Sequence, residues 1–194
     1  MRPLVLHETL PEILLWGTFV LWLALESVLR RRSRTDSVES KEWTVSLIMV
    51  LLFVSLVAAT VAASKHVAPL PGPAWWPVAA GVVLLWLGIG FRLWAIRTLG
   101  RFFKLTVVIQ ENHRVVESGP YRWLRHPSYT GGLVAATAIG LAEGDWVAIA
   151  IMAIGLSIAY LVRIPVEERA LLAELGDEYA AYAKRTARLV PGLF

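Results

Sequence analysis

Apolar residues in this chain are gathered into long runs rather than spaced along one face of amphipathic helices or strands. The five runs cover residues 10–29, 43–63, 74–94, 129–141 and 146–162. A helix needs about 20 consecutive apolar residues to span a bilayer core, and the first three runs meet this length. The last two runs are shorter and are separated by Glu143, Gly144 and Asp145, so we expect them to form a tight helical hairpin.

The pattern predicts an all-α integral membrane protein with five transmembrane helices and a cytosolic C-terminal helix. Prolines in residues 69–73 end any helix between the second and third runs, and the third helix is expected to continue to about residue 99. Pro165 is expected to end the fifth helix, so that the tail starts a new one. We divide the chain into a three-helix membrane region, residues 1–96, and a more polar region, residues 97–194, within one integrated domain.

Composition supports the membrane assignment and narrows the chemistry. Hydrophobic residues make up 57% of the chain and charged residues 18%, whereas about a quarter of the residues in a soluble domain are charged. The chain has no cysteine, which excludes a disulfide framework and a thiolate nucleophile, and no metal site is predicted. The net charge of +4 reports on membrane topology, so no nucleic-acid partner is expected.

Basic residues predict the orientation of the helices. They concentrate between the first two runs, after the third run and in the tail, whereas the opposite side contains only Arg2 and Lys65. Because positively charged loops stay in the cytosol, the N-terminus is predicted to lie outside and the C-terminus inside. Five crossings satisfy this arrangement, and the polar residues of the second half then converge on the cytosolic membrane face.

Residues 113–121 and 125–129 form the first polar group that exceeds what topology requires. Pro127 fits the first position of a helix, where its missing N–H costs little. The N–H groups of Ser128 and Tyr129 would then point out of a helix N-terminus, which attracts carboxylates and phosphates. Arg125 and His126, which precede the proline, would strengthen this attraction. The simpler interpretation is that the arginine marks the cytosolic side and the histidine is an interfacial side chain.

The second polar group follows the last apolar run. Arg163 lies at the end of that run, and Glu167 and Glu168 come directly after it. The simpler interpretation is that the arginine snorkels to the interface and the glutamates complement the start of a tail helix. Arg163 and Glu167 are four residues apart and should face the same side. An ionisable residue at the membrane boundary is otherwise a functional candidate.

Together the two groups predict a cytosolic pocket with an anion site at a helix start, an arginine and a carboxylate. A zwitterionic cofactor with a cationic sulfonium suits such a pocket. Its amino-acid carboxylate would meet the helix start, and Glu167 would meet an amine, a ribose or an adenine edge. Arg163 would then orient an anionic acceptor.

At these residues the chain resembles the isoprenylcysteine carboxyl methyltransferase family. The family motif Arg-His-Pro-x-Tyr-x-Gly, followed further on by Glu-Glu, matches residues 125–131 and 167–168. An upstream His-x-Leu/Val-Val and Gly-x-Tyr motif matches residues 113–121, and a downstream Gly-Asp-Glu-Tyr motif with a second tyrosine matches residues 176–182. A closing Arg-x-x-Pro matches residues 188–191, so the resemblance covers about residues 97–191.

The resemblance implies a methyltransferase that uses S-adenosyl-L-methionine. It implies a cytosolic cofactor pocket covered by the tail helix, and a prenyl-cysteine or similar lipidic acceptor that enters from the bilayer. The family's substrate-contacting arginine, which we take as the catalytic residue, corresponds to Arg163. The candidate cofactor contacts, from the residue pattern and the resemblance together, are Gln110, His113, Arg114, Val115, Val116, Tyr121, Arg125, His126, Pro127, Ser128, Tyr129, Glu167 and Glu168.

Two other functions fit the same pattern. The first is methyl transfer to a phospholipid or another small lipid within the same architecture. The second belongs to a different class, an intramembrane reductase that uses NADPH, because sterol-reductase-type membrane proteins share a similar C-terminal pattern. The 2′-phosphate of NADPH would require additional cytosolic Arg or Lys in the pocket. A non-catalytic scaffold protein is disfavoured, because such a protein would not require four sequence motifs in this order.

Overall fold

The computed structural model of the chain describes residues 42–100 and 115–192, together with Gly17 and Val20, which are helical. Residues 42–100 and 115–192 form four α-helices and one short 3₁₀ helix, Gly119–Arg122. The α-helices are α1 (Glu42–Ser64), α2 (Trp75–Leu99), α3 (Pro127–Ala142) and α4 (Trp146–Arg185).

Three of the described helices, α1, α2 and α4, are long and apolar enough to cross a membrane. Their bounds confirm the second and third predicted runs and the extension of the third helix to Leu99. The predicted hairpin is also confirmed, because α3 and α4 are joined by a three-residue turn and pack against each other. The first run, residues 10–29, lies outside the described residues apart from Gly17 and Val20, so five crossings remain a prediction.

Close backbone contact joins α2 to α3. Gly88 faces Gly131 and Ala135, and a Cβ atom added at Gly88 would lie 2.7 Å from the backbone nitrogen of Ala135. A Cβ atom added at Gly131 would lie 2.7 Å from the backbone nitrogen of Arg92. Since lipid-embedded helices gain little from hydrophobic burial against each other, such small-residue contacts provide much of their association energy. On its other side α3 packs against α4, which in turn packs against α1.

The path of α4 differs from the sequence prediction. The helix continues through Pro165, which lies inside it, and its helical backbone is interrupted at Gly176, where φ is +53°. A proline inside a helix removes one hydrogen bond but is tolerated in membrane helices when neighbouring groups satisfy the freed carbonyl. Glycine adopts the left-handed region at little cost, which explains the break at Gly176. Glu167 and Glu168 therefore lie in the middle of a long helix and do not begin a new one.

The turn between α3 and α4 is fastened to the loop before α2 at the end of the bundle opposite Arg163. The Asp145 carboxylate accepts hydrogen bonds from the N–H groups of Val147 (2.8 Å), Ala148 (3.4 Å) and Ala68 (2.8 Å). Burial alone would raise the pKa of Asp145, but the three donors outweigh it and hold the pKa below its ordinary value. The ionised side chain thus caps the N-terminus of α4 and also holds the hairpin against the loop before α2.

The two neighbouring glycines of α2 provide a matched test of the α2–α3 contact. We expect Gly88→Ala to lower the thermal unfolding midpoint in detergent, because the added methyl group meets backbone atoms of α3 that cannot move aside, at a cost of about 1–3 kcal/mol. Gly90 has open space around it, so Gly90→Ala should leave the midpoint unchanged or raise it slightly through higher helix propensity. Equal midpoints for the two variants would contradict the close packing.

Candidate functional site

The start of α3 carries the first predicted group of site residues. Pro127 occupies the first helical position after His126, as the sequence predicts. The N–H groups of Tyr129 and Thr130 both donate to the His126 carbonyl oxygen, at 3.0 and 3.1 Å. The expectation that the Tyr129 N–H points outward to an anion is therefore wrong, because the first turn closes on itself through this carbonyl.

The hydroxyl group of Tyr129 joins the two predicted groups. It donates to Oε2 of Glu167 at 2.6 Å and accepts from Nε of Arg163 at 3.1 Å. The same Arg163 nitrogen lies 3.7 Å from Oε2 of Glu167, one helical turn further along α4. The predicted facing of Arg163 and Glu167 is confirmed, and the structure adds Tyr129 as the group between them.

Arg163 is buried, with 1% of its surface exposed. Its Nη1 donates to the hydroxyl oxygen of Thr44 on α1, 2.5 Å away. The interpretation that Arg163 snorkels to the interface is therefore wrong, because a snorkelling guanidinium would be exposed. A buried charge is tolerated only where several polar partners replace water. We call Thr44, Tyr129, Arg163 and Glu167 the arginine cluster.

A second polar cluster surrounds Glu168, the neighbour of Glu167. Its carboxylate oxygens lie 3.3 Å from Nε of Arg125, 3.4 Å from Nε2 of His126 and 3.1 Å from Nε of Arg188. We call these four residues the Glu168 cluster. The two basic residues expected to attract a ligand anion at the helix start thus already face a carboxylate of the protein. Arg188 comes from the segment after α4, so the cluster ties three parts of the chain together.

The segment after α4 lies along the residues that lead into α3. The N–H groups of Arg125 and His126 donate to the carbonyls of Ala187 (2.8 Å) and Arg188 (3.1 Å). The hydroxyl of Thr130 donates to the carbonyl of Leu189 at 2.8 Å. The C-terminal segment is consequently part of the wall beside the candidate site.

Tyr121 is the predicted site residue in the short 3₁₀ helix. Its carbonyl oxygen accepts from the Tyr182 hydroxyl at 2.7 Å, and the residue is buried. Burial, followed by the negative charge of Glu167, raises the pKa of the Tyr121 phenol well above its ordinary value. The phenol is therefore neutral at physiological pH and can donate a hydrogen bond.

The predicted cofactor loop is described only at its end. Gln110, His113 and Arg114 lie outside the described residues, whereas Val115 and Val116 lie within them. The Val115 N–H donates to Oε1 of Glu178 at 3.2 Å. This end of the loop therefore lies against the last part of α4, close to the Gly-Asp-Glu-Tyr motif.

Sequence reasoning missed two residues that contact the predicted site. Arg92 of α2 is 7% exposed, and its Nη1 donates to the carbonyl oxygen and the hydroxyl of Ser128 at 2.9 and 2.7 Å. The signal for Arg92 was an ionisable residue inside an apolar run, which is unusual in a membrane helix. Thr44 carries no comparable signal, since a threonine near the end of a membrane helix is ordinary.

The fold and the site define an integral membrane protein with a buried arginine–tyrosine–glutamate cluster where α1, α3 and α4 meet. A family model of the Isoprenylcysteine carboxyl methyltransferase (ICMT) family matches residues 81–173, just under half of the chain. The match includes Arg92, Tyr129, Arg163 and Glu167. Over this segment the chain is similar to members of that family.

Two named relatives show the same similarity. The chain is 33% identical over 119 residues to Protein-S-isoprenylcysteine O-methyltransferase B of Arabidopsis thaliana, an alignment that covers 60% of each chain. It is 41% identical over 71 residues to Methanethiol S-methyltransferase of Mycobacterium tuberculosis, which covers 37% of this chain and 28% of that protein. The chain thus spans less than two thirds of the length of these relatives.

A solved structure supports the fold. The eukaryotic intramembrane Ras methyltransferase ICMT matches with a TM-score of 0.65 and 22% sequence identity. The match covers 94% of this chain and 68% of that chain. The likeness therefore extends beyond the segment that the family model matches and reaches α1, which precedes it.

Proposed function

We propose that the protein is a methyltransferase that uses S-adenosyl-L-methionine and methylates the carboxylate of a prenyl-cysteine or a similar lipidic acceptor at the cytosolic membrane face. The observation that carries the proposal is the buried Arg163 held between Tyr129 and Glu167 within the family-matched segment. The names of the relatives, which are methyltransferases, support the reaction type. The concentration of basic residues in the second half supports the cytosolic face.

The described residues suit the proposed cofactor. The Glu167 side chain is 26% exposed, and its negative charge, after burial, contributes to the raised pKa of the Tyr121 phenol. A carboxylate in this position can accept from an amine or a ribose hydroxyl. The proposed contacts remain Gln110, His113 to Val116, Tyr121, Arg125 to Tyr129, Glu167 and Glu168. Within this set, Arg125, His126 and Glu168 contact one another, so we propose that they shape the pocket wall together.

The proposed chemistry requires little from acid or base groups. Bound S-adenosylmethionine would supply an electrophilic methyl group, so that an O–CH₃ bond forms as the S–CH₃ bond breaks. A carboxylate acceptor is already ionised at neutral pH and needs no general base. Arg163 would orient this carboxylate, and the surrounding helices would exclude water.

The acceptor is identified by a radiolabelled methyl-transfer assay on a prenyl-cysteine analogue run beside a phospholipid panel. A carboxyl methyl ester is hydrolysed by base to volatile methanol, whereas a methylated amine keeps its label. We expect base-labile label on the prenyl-cysteine analogue. Label retained only on phospholipid would contradict the carboxyl acceptor, and binding of NADPH without binding of S-adenosylhomocysteine would favour the reductase alternative.

A small thiol is the second candidate acceptor, favoured by the 41% identity to Methanethiol S-methyltransferase. Its pH dependence separates it from a carboxylate. The pKa of an unperturbed cysteine thiol is about 8.5, and a small alkanethiol is a weaker acid, so the transfer rate to a thiol should rise as the pH increases from about 6 to 9. The rate with a carboxylate should stay nearly constant over this range, because the acceptor is ionised throughout.

Arg163→Ala is expected to lower methyl transfer by about 100- to 1000-fold while S-adenosylhomocysteine still binds, since the variant loses the group that orients the acceptor. Transfer is measured with labelled cofactor, and binding by calorimetry. Arg169→Ala is the matched control, because Arg169 is exposed on the same helix. Full activity of the Arg163 variant would remove this residue from the site.

Glu167→Gln is expected to weaken the binding of S-adenosylhomocysteine by about 10-fold or more, because a hydrogen bond to a charged group contributes about 1.5–3 kcal/mol. Glutamine keeps the size of the side chain and an oxygen for Tyr129. Calorimetry measures the affinity, and Glu174→Gln at an exposed position of α4 is the control. Unchanged affinity in the Glu167 variant would place this residue outside the cofactor site.

A further inference from the structure

Thr44 contacts the arginine cluster from a part of the chain that precedes the family-matched segment. It is the third residue of α1 and is fully buried. Its hydroxyl oxygen accepts from Nη1 of Arg163, 119 residues further along the chain. The family model begins at residue 81, so Thr44 lies outside it.

The contacts of Arg163 fix both the position and the rotation of its guanidinium group. Nε is held by the Tyr129 hydroxyl on α3, and Nη1 is held by Thr44 on α1. The guanidinium is planar, so partners at two different nitrogens define the plane in which its donors point. The Thr44 contact therefore adds a second point of attachment, on a different helix, to the one at Nε.

Packing further along the helices keeps Thr44 in place relative to Arg163. Gly155 of α4 faces Ser55 of α1 so closely that a side chain at Gly155 would collide with the serine hydroxyl. Leu52 and Leu56 of α1 are buried in the same core as Leu156. The β-branched side chain of Thr44 also has few rotamers in a helix. The packing of α1 against α4 thus holds the Thr44 hydroxyl in a defined position relative to Arg163.

We propose that Thr44 is a positioning residue that orients the Arg163 guanidinium toward the acceptor carboxylate. The helix before the family-matched segment then completes the acceptor half of the site and leaves cofactor binding to the other residues. This inference rests on the proposed function. It assigns α1 a specific part in the reaction beyond crossing the membrane.

The test compares Thr44→Val, which keeps the shape and removes the hydroxyl, with Thr44→Ser, which keeps the hydroxyl. We expect Thr44→Val to lower kcat/KM for the acceptor by about 10- to 100-fold, mainly through a higher acceptor KM, as for a lost hydrogen bond to a charged group. The affinity for S-adenosylhomocysteine should stay within about twofold. Thr44→Ser should recover most of the activity.

Thr60→Val is the control on the same helix, since the Thr60 hydroxyl donates to Glu143 at 2.9 Å near the opposite end. It should leave acceptor KM unchanged. A double-mutant cycle with Arg163→Lys measures the coupling between Thr44 and Arg163 a second time. It is read from stability, so it does not depend on the activity of the variants. If Thr44 acts through Arg163, Thr44→Val should change the thermal unfolding midpoint much less in the Arg163→Lys background than in the wild type.

Wild-type protein that transfers no methyl group to any acceptor would overturn the proposed function and this inference with it. An active wild type with an equally active Thr44→Val variant would overturn the inference alone. Equal losses in Thr44→Val and Thr44→Ser, or additive midpoint changes in the cycle, would also overturn it, because they would indicate a packing role without coupling to Arg163.

Discussion

The arrangement of this protein depends on the burial of one guanidinium group. Arg163 lies at the end of an apolar run and is 1% exposed, so its charge has to be satisfied by side chains and not by water. Its partners among the described residues come from three helices. Thr44 comes from α1, Tyr129 from α3 and Glu167 from α4 itself. The need to surround this charge therefore fixes how the three helices meet at one end of the bundle.

The same requirement explains the small residues of α3. Tyr129 can reach both Arg163 and Glu167 only if α3 lies close between its neighbours, and Gly131 and Gly88 allow α2 and α3 to approach with their backbones in contact. This approach also brings Arg92 of α2 to Ser128, where it holds the carbonyl and the hydroxyl in the first turn of α3. The glycines thus affect the site by allowing a short distance between α2 and α3, although they have no polar side chains.

Features encoded within one stretch of sequence could be predicted, whereas contacts between distant parts of the chain could not. Apolar runs report on single helices, so α1, α2 and the hairpin were predicted within a few residues, as was the helix start at Pro127. Local spacing also paired Arg163 with Glu167. The continuation of α4 through Pro165 depends on its surroundings, and local propensity gave the wrong answer. The contacts of Thr44 and Arg92 join distant helices, and no pattern in a single sequence contains that information.

Glu167 and Glu168 are adjacent, and the continuous helix explains why they belong to different clusters. Successive residues of an α-helix point about 100° apart. One carboxylate therefore turns toward Tyr129 and Arg163, and the other toward Arg125, His126 and Arg188. Had the helix ended at Pro165, both glutamates would lie in a first turn and their side chains would serve mainly to cap it. Continuity through the proline is what lets one acidic pair hold the buried arginine on one side and the C-terminal segment on the other.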